Sequence, residues 1–186
     1  MFGGEVARLV PALAGGLVAP VCVYGSLRGG QPARARLVDD SDVVAVAAAR
    51  IPGHRLVVAG AGAGRWAGCA MAVPAPGGSV VGELLVLRPD RRDEVLEALD
   101  AYEFAGYCRA DPRCPYRRRL LDVLLPLNEW GLGRAVAVPA WVYLPGAPLH
   151  ALRGNAREVP GGDWSGWVSV DAPALVETGS PTGGFW

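Results

Sequence analysis

Glu103 stands where a solvated carboxylate should not. It follows Leu96 by seven residues and Leu99 by four, so helical spacing turns it onto the face formed by Val95, Leu96, Leu99 and Tyr102. The same spacing sends Asp93, Glu97 and Asp100 away from that stripe, into solvent. A carboxyl on the buried face loses hydration, and at the end of a helix it also meets the negative pole of the peptide dipoles. Both effects raise its pKa toward the range in which one group can take a proton and return it near neutrality. A plainer reading has the same spacing: an inward Glu held by an arginine such as Arg109 or Arg119.

The second candidate is the stretch VCVYGSLRGGQP, where an apolar run passes directly into Gly25, Ser26 and Leu27. A strand ending in Gly-Ser exposes consecutive backbone N–H groups, and its small residues let a ligand come close. Such a turn suits a carboxylate or an oxyanion, although an ordinary strand-end turn has the same sequence. It lacks the GK[ST] of a phosphate-binding P-loop and the GxGxxG of a dinucleotide site. An anion-binding loop and one proton-carrying Glu together suit a small anionic substrate and simple proton transfer, with no metal and no cofactor.

Residue types narrow the chemistry further. All 18 basic residues are Arg, which excludes Schiff-base, lysine general-base and Walker-lysine mechanisms. His54 and His150 are the only histidines, and His54, just after Pro52-Gly53, reads as structural. Cys22, Cys69, Cys108 and Cys114 match no common zinc spacing and, without a secretory signal, no disulfide framework.

The elements that must position these groups follow from periodicity and turn residues. Val18–Tyr24 reads as a buried strand and Arg34–Leu37 as a helical turn. Val43–Ala48 and Arg55–Ala59 read as strands on either side of a Pro52-Gly53 turn, and Gly60–Gly78 as an irregular loop. Val80–Leu87 is a strand ended by Pro89; Asp90 then reads as the N-cap of a helix reaching Phe104. Arg118–Leu127 and Val136–Leu144 are further strands around a turn at 130–133. The mixed order gives an α+β domain.

The 186 residues, 51% hydrophobic and 19% charged, are enough for one domain with its own core and exclude a disordered chain. The absence of lysine, with Ile51 the only isoleucine, reflects codon supply. Net charge zero gives no basic footprint for nucleic acid. No run is long enough for a membrane span, and the first twenty residues lack the basic start of a signal peptide. The expectation is a cytoplasmic protein with a small-molecule substrate, no nucleic-acid or membrane partner, and an oligomeric state left open.

In order, VYGSLRGGQP, GELLVL, LEALDAYEFAGYCR, AWVYL and GGDW resemble the γ-glutamylcyclotransferase-like family, over about Val21 to Trp164. The resemblance implies a small mixed β-barrel with flanking helices. It also implies a lyase reaction in which the α-amine of a γ-glutamyl group attacks its own γ-amide carbonyl, giving 5-oxoproline and a free amine or amino acid. Glu103 matches the family's acid/base; Tyr24, Gly25, Ser26 and Leu27 match the loop that holds the glutamyl group. Tyr143 matches a pocket tyrosine, and Tyr107 and Arg109 match a Tyr-x-Arg after the acid. On this reading residues 1–16 are an extension, about 17–168 the core and about 169–186 a tail of a single domain.

Phe104 departs from the glycine that often follows the acid, and the Ala/Gly-rich stretch 60–76 has no counterpart in the family pattern. Arg117, Arg118 and Arg119 read as a solvated strand end, and Trp164 and Trp167 as core plugs. Two other functions fit the same residues. One is a different amide cleavage or rearrangement in a natural-product pathway. The other is a catalytically silent binding module, which an intact Glu103 disfavours.

Overall fold

The computed structural model describes residues 19–61, 63, 67–104, 116–126, 135–146 and 156–167. Its strands are β1 (Val21–Val23), β2 (Val43–Ala59), β3 (Ala70–Leu87), β4 (Tyr116–Pro126), β5 (Ala135–Pro145) and β6 (Ala156–Glu158). Helix α1 spans Pro32–Leu37 and α2 Arg92–Phe104, and short 3₁₀ turns include Gly25–Leu27, Pro160–Gly162 and Trp164–Gly166. Strands β3, β1, β5, β4 and β2 pair in that order, and β2 pairs again with β3, so the hydrogen-bonded ladder closes on itself as a barrel requires. Only β1–β5 is parallel among these pairs; the sheet is mixed, with few helices, in agreement with the expected class.

Alternation along the strands divides the core. Cys22, Ala47, Leu84, Val123 and Val142, drawn from every strand of the ring, share one apolar cluster that fills the inside. Val21, Val23 and Leu85 point the other way, onto Val95, Leu96 and Leu99 of α2. Leu99 is fully buried, so the stripe read from the sequence is the surface by which α2 docks. Trp164 and Trp167 pack against the inner cluster, as core plugs.

The structure corrects three boundaries. Pro52-Gly53 does not reverse the chain: β2 runs through it, and the ladder with β3 shifts register between Pro52 and His54. Gly53 alone on β2 faces Ala75, Pro76, Gly77 and Gly78 on β3, so the extra residues of this bulge lie on β3, with Gly53 and Gly77 at φ +70° and +79°. His54 stays structural, its Nδ1 2.8 Å from the Pro52 carbonyl. The irregular loop is shorter than expected, because residues 70–78 belong to β3, and 70–74 of them pair with the second half of β2. Helix α2 starts at Arg92, and the Asp90 carboxylate receives the Arg88 guanidinium at 2.8 and 3.1 Å rather than helix N–H groups.

Candidate active site

The parallel pair brings the site together. Val21 lies opposite Trp141 and Cys22 opposite Val142, so both strands deliver their following residues to one end of the ring. There the Tyr24 hydroxyl donates to the Tyr143 carbonyl at 2.6 Å and accepts the Ala72 N–H at 3.3 Å. Tyr24 therefore acts through its ring and its ties to the frame. Gly25 follows with φ +63°, where a Cβ would come within 3.0 Å of Ala70 Cβ. Glycine meets both demands. The 3₁₀ turn uses the N–H groups of Leu27 and Arg28 for its own bonds, to Tyr24 and Gly25 carbonyls, which leaves the leading amides of Gly25 and Ser26 outside that pattern.

Two walls hold this loop. Arg28 reaches Glu83 on β3 at 3.4 Å and Asp163 at 2.5 Å, and the Gly29 N–H donates to the same Glu83 at 2.8 Å. Asp163 also accepts from the N–H of Ser165, which joins the loop to the GGDW segment. On the helix side, the Ser26 Oγ lies 3.4 Å from the Tyr102 hydroxyl.

Glu103 occupies the last turn of α2. Its side chain keeps a partly open surface, yet protein surrounds it closely enough that desolvation pushes its carboxyl up to about 8. Partial access combined with strong desolvation is what a concave site gives a carboxyl on its wall. Among the described residues no hydrogen bond or ion pair engages it. Arg119 is exposed on β4, so it is not the arginine that the plainer reading required. Arg109 and Tyr107 lie outside the described residues, as do Cys108 and Cys114.

The Glu103 charge is felt by Tyr24, Tyr116, Tyr143 and Cys69. Burial raises the pKa of each, and the negative charge of Glu103 adds to the rise. Tyr116 is anchored by its hydroxyl to the Ala70 carbonyl at 2.8 Å.

Asp100 contradicts the expectation of a solvated acid: it is buried, accepting the Tyr143 hydroxyl at 2.7 Å with Arg118 at 3.2 Å. The signal was available, because Asp100 follows Leu96 by four residues and so shares its face. Arg118 likewise leaves the solvated run assigned to it, reaching Asp100 and lying 5.3 Å over the Trp141 ring.

With this geometry in place, residues 21–166 match the family described as γ-glutamyl cyclotransferase, AIG2-like. The chain belongs to that family. An AIG2-like protein from Mus musculus is 25% identical, with a TM-score of 0.48, over 74% of this cyclotransferase-family chain and 83% of its own. An uncharacterized protein from Pyrococcus horikoshii is 18% identical, with a TM-score of 0.46, over 79% of this chain and 90% of its own. No curated protein matches the chain. Among the described residues, no group of three or more His, Cys, Asp or Glu could hold a metal ion, and no helix is long and apolar enough to cross a membrane.

Proposed function

We propose that this cyclotransferase-family protein releases 5-oxoproline and a free amine or amino acid from a γ-glutamylated substrate, with Glu103 as general acid and base. The observation that carries the reading is a desolvated Glu103 carboxyl that no cation or donor among the described residues engages, next in the chain to Tyr102, whose hydroxyl lies 3.4 Å from Ser26 Oγ of the loop. A structural glutamate would be neutralised by a partner; this one is kept ready to exchange a proton.

In this mechanism the loop amides of Gly25 and Ser26 hold the glutamyl group, and Tyr143 lines its binding site. The Glu103 carboxylate takes a proton from the α-ammonium, and the freed amine attacks the γ-amide carbonyl of the same molecule. The C–N bond to the leaving group then breaks as Glu103 returns the proton to that nitrogen; the ring nitrogen sheds its second surplus proton, which ends on the released amine as an ammonium. Closing a five-membered ring needs no second substrate and benefits from a high effective molarity, so one proton-transfer group suffices. A carboxyl with a pKa near the working pH is best matched to both halves of that transfer.

The test is a panel of γ-glutamyl amines and γ-glutamyl dipeptides, with 5-oxoproline read by mass spectrometry. Turnover of at least one compound supports the proposal. Binding without turnover across the panel favours a silent binding module, and cleavage of an amide without 5-oxoproline favours a different amide chemistry.

A further inference from the structure

Arg36, on α1, has no part in the mechanism above. Its guanidinium lies over the Tyr102 ring of α2, 5.8 Å from the centroid, and the residue is exposed. Among the described residues no carboxylate pairs with it. Other arginines in this part of the molecule are placed differently: Arg34 pairs with Asp40, Arg88 with Asp90, and Arg91 with Asp42 and Glu94. A carboxylate neutralises a guanidinium and takes up its donors. An aromatic face holds the guanidinium plane and leaves the N–H groups at its edge open. Arg36 is therefore seated, with its charge and its donors still available.

Tyr102 joins this charge to the site. It precedes Glu103 on α2, and its hydroxyl lies 3.4 Å from Ser26 Oγ of the glycine loop. The guanidinium thus stands one aromatic ring away from the loop, at its solvent side. Resting on the cyclotransferase reading, we propose that Arg36, seated on Tyr102, selects substrates whose leaving group carries a carboxylate: γ-glutamyl amino acids rather than γ-glutamyl amines. The loop amides take the glutamyl end in that reading, so the leaving group is the end that extends outward, past Tyr102. In a γ-glutamyl amino acid the second carboxylate is one carbon from the scissile nitrogen, and a planar guanidinium matches it with two parallel N–H donors. A plain amine offers Arg36 no such group.

The experiment uses two compounds that differ only in that carboxylate, γ-glutamylalanine and γ-glutamylethylamine, and reads 5-oxoproline from each. The measured quantity is the ratio of their kcat/KM values in the wild type, Arg36→Gln, Arg36→Lys, Tyr102→Phe and Tyr102→Leu. The wild type should prefer the alanine compound. Arg36→Gln should lower that preference by about fivefold, the upper end for an exposed charge pair, through KM rather than kcat. Arg36→Lys keeps the charge and should keep most of the preference. Tyr102→Phe keeps the ring and should behave likewise, whereas Tyr102→Leu removes the seat and should follow Arg36→Gln. At about 1 M NaCl the wild-type preference itself should shrink, because exposed charges are screened. A wild type that turns over both compounds equally well, or an Arg36→Gln variant that weakens both by the same factor, overturns the role of Arg36. If the wild type yields no 5-oxoproline from any γ-glutamyl compound, the cyclotransferase reading itself falls and this one with it.

Discussion

The Tyr24 hydroxyl donates to the Tyr143 carbonyl at 2.6 Å and accepts the Ala72 N–H, so one side chain ties together the ends of β1, β3 and β5. This cross-tie fixes the strand end that leads into the glycine loop to the strand that carries Tyr143.

Tyr24→Phe should therefore loosen the frame. It strands the buried Ala72 N–H, and an unsatisfied buried donor costs about 1–3 kcal/mol. Urea denaturation should show a loss of that size with an unchanged m value. A variant as stable as the wild type would contradict the cross-tie.

Gly25→Ala is expected to impair both stability and binding. It forces a side chain into left-handed backbone at φ +63°, and its methyl group meets Ala70 at 3.0 Å. The conformational part alone costs about 1–2 kcal/mol. Thermal melts measure the first effect and KM the second; a neutral outcome in both removes the loop from the site.

Arg28 and Asp163 should be energetically coupled, because one guanidinium joins the loop to the GGDW segment. A double-mutant cycle of Arg28→Ala and Asp163→Ala should return a coupling of about 0.5–3 kcal/mol, as contacting pairs do. Strict additivity would mean that the ion pair does not hold the loop.

The raised pKa of Glu103 makes a prediction about stability with a definite sign. In the folded state the carboxyl keeps its proton up to about 8, whereas in the unfolded chain it ionises near 4.5. Between those values the folded state binds more protons, so this group's contribution falls as pH rises and levels off above pH 8. Glu103→Gln removes the penalty. It should match the wild type near pH 4 and exceed it by roughly 3–5 kcal/mol at pH 8, as read by chemical denaturation across that range. A difference independent of pH would show that Glu103 is not desolvated.

Much of this site is legible in the sequence, for physical reasons that also mark where legibility ends. Val95, Leu96 and Leu99 reveal the docking face of α2, and the turn that carries Glu103 follows from the same period. The anomaly of an acid on that face is a local fact. The β2–β3 ladder is not local: whether Pro52-Gly53 reverses the chain or lets it run on depends on the partner strand, which continues through residues 70–78. Asp100 was within reach of helical spacing, but only its partners, Tyr143 and Arg118 from other strands, explain why an acid is buried there. The tie made by the Tyr24 hydroxyl likewise depends on β1 and β5 lying side by side, which no turn signal encodes.

The most direct test of the central claim is the rate of 5-oxoproline formation by Glu103→Gln on the best γ-glutamyl substrate of the wild type. Glutamine keeps the shape of the side chain and cannot carry the proton. General acid–base catalysis contributes about 10²–10⁴-fold, so a fall in kcat of that size, with the fold intact by circular dichroism, is the result predicted. A Glu103→Gln enzyme that forms 5-oxoproline at a rate close to the wild type's would contradict the account.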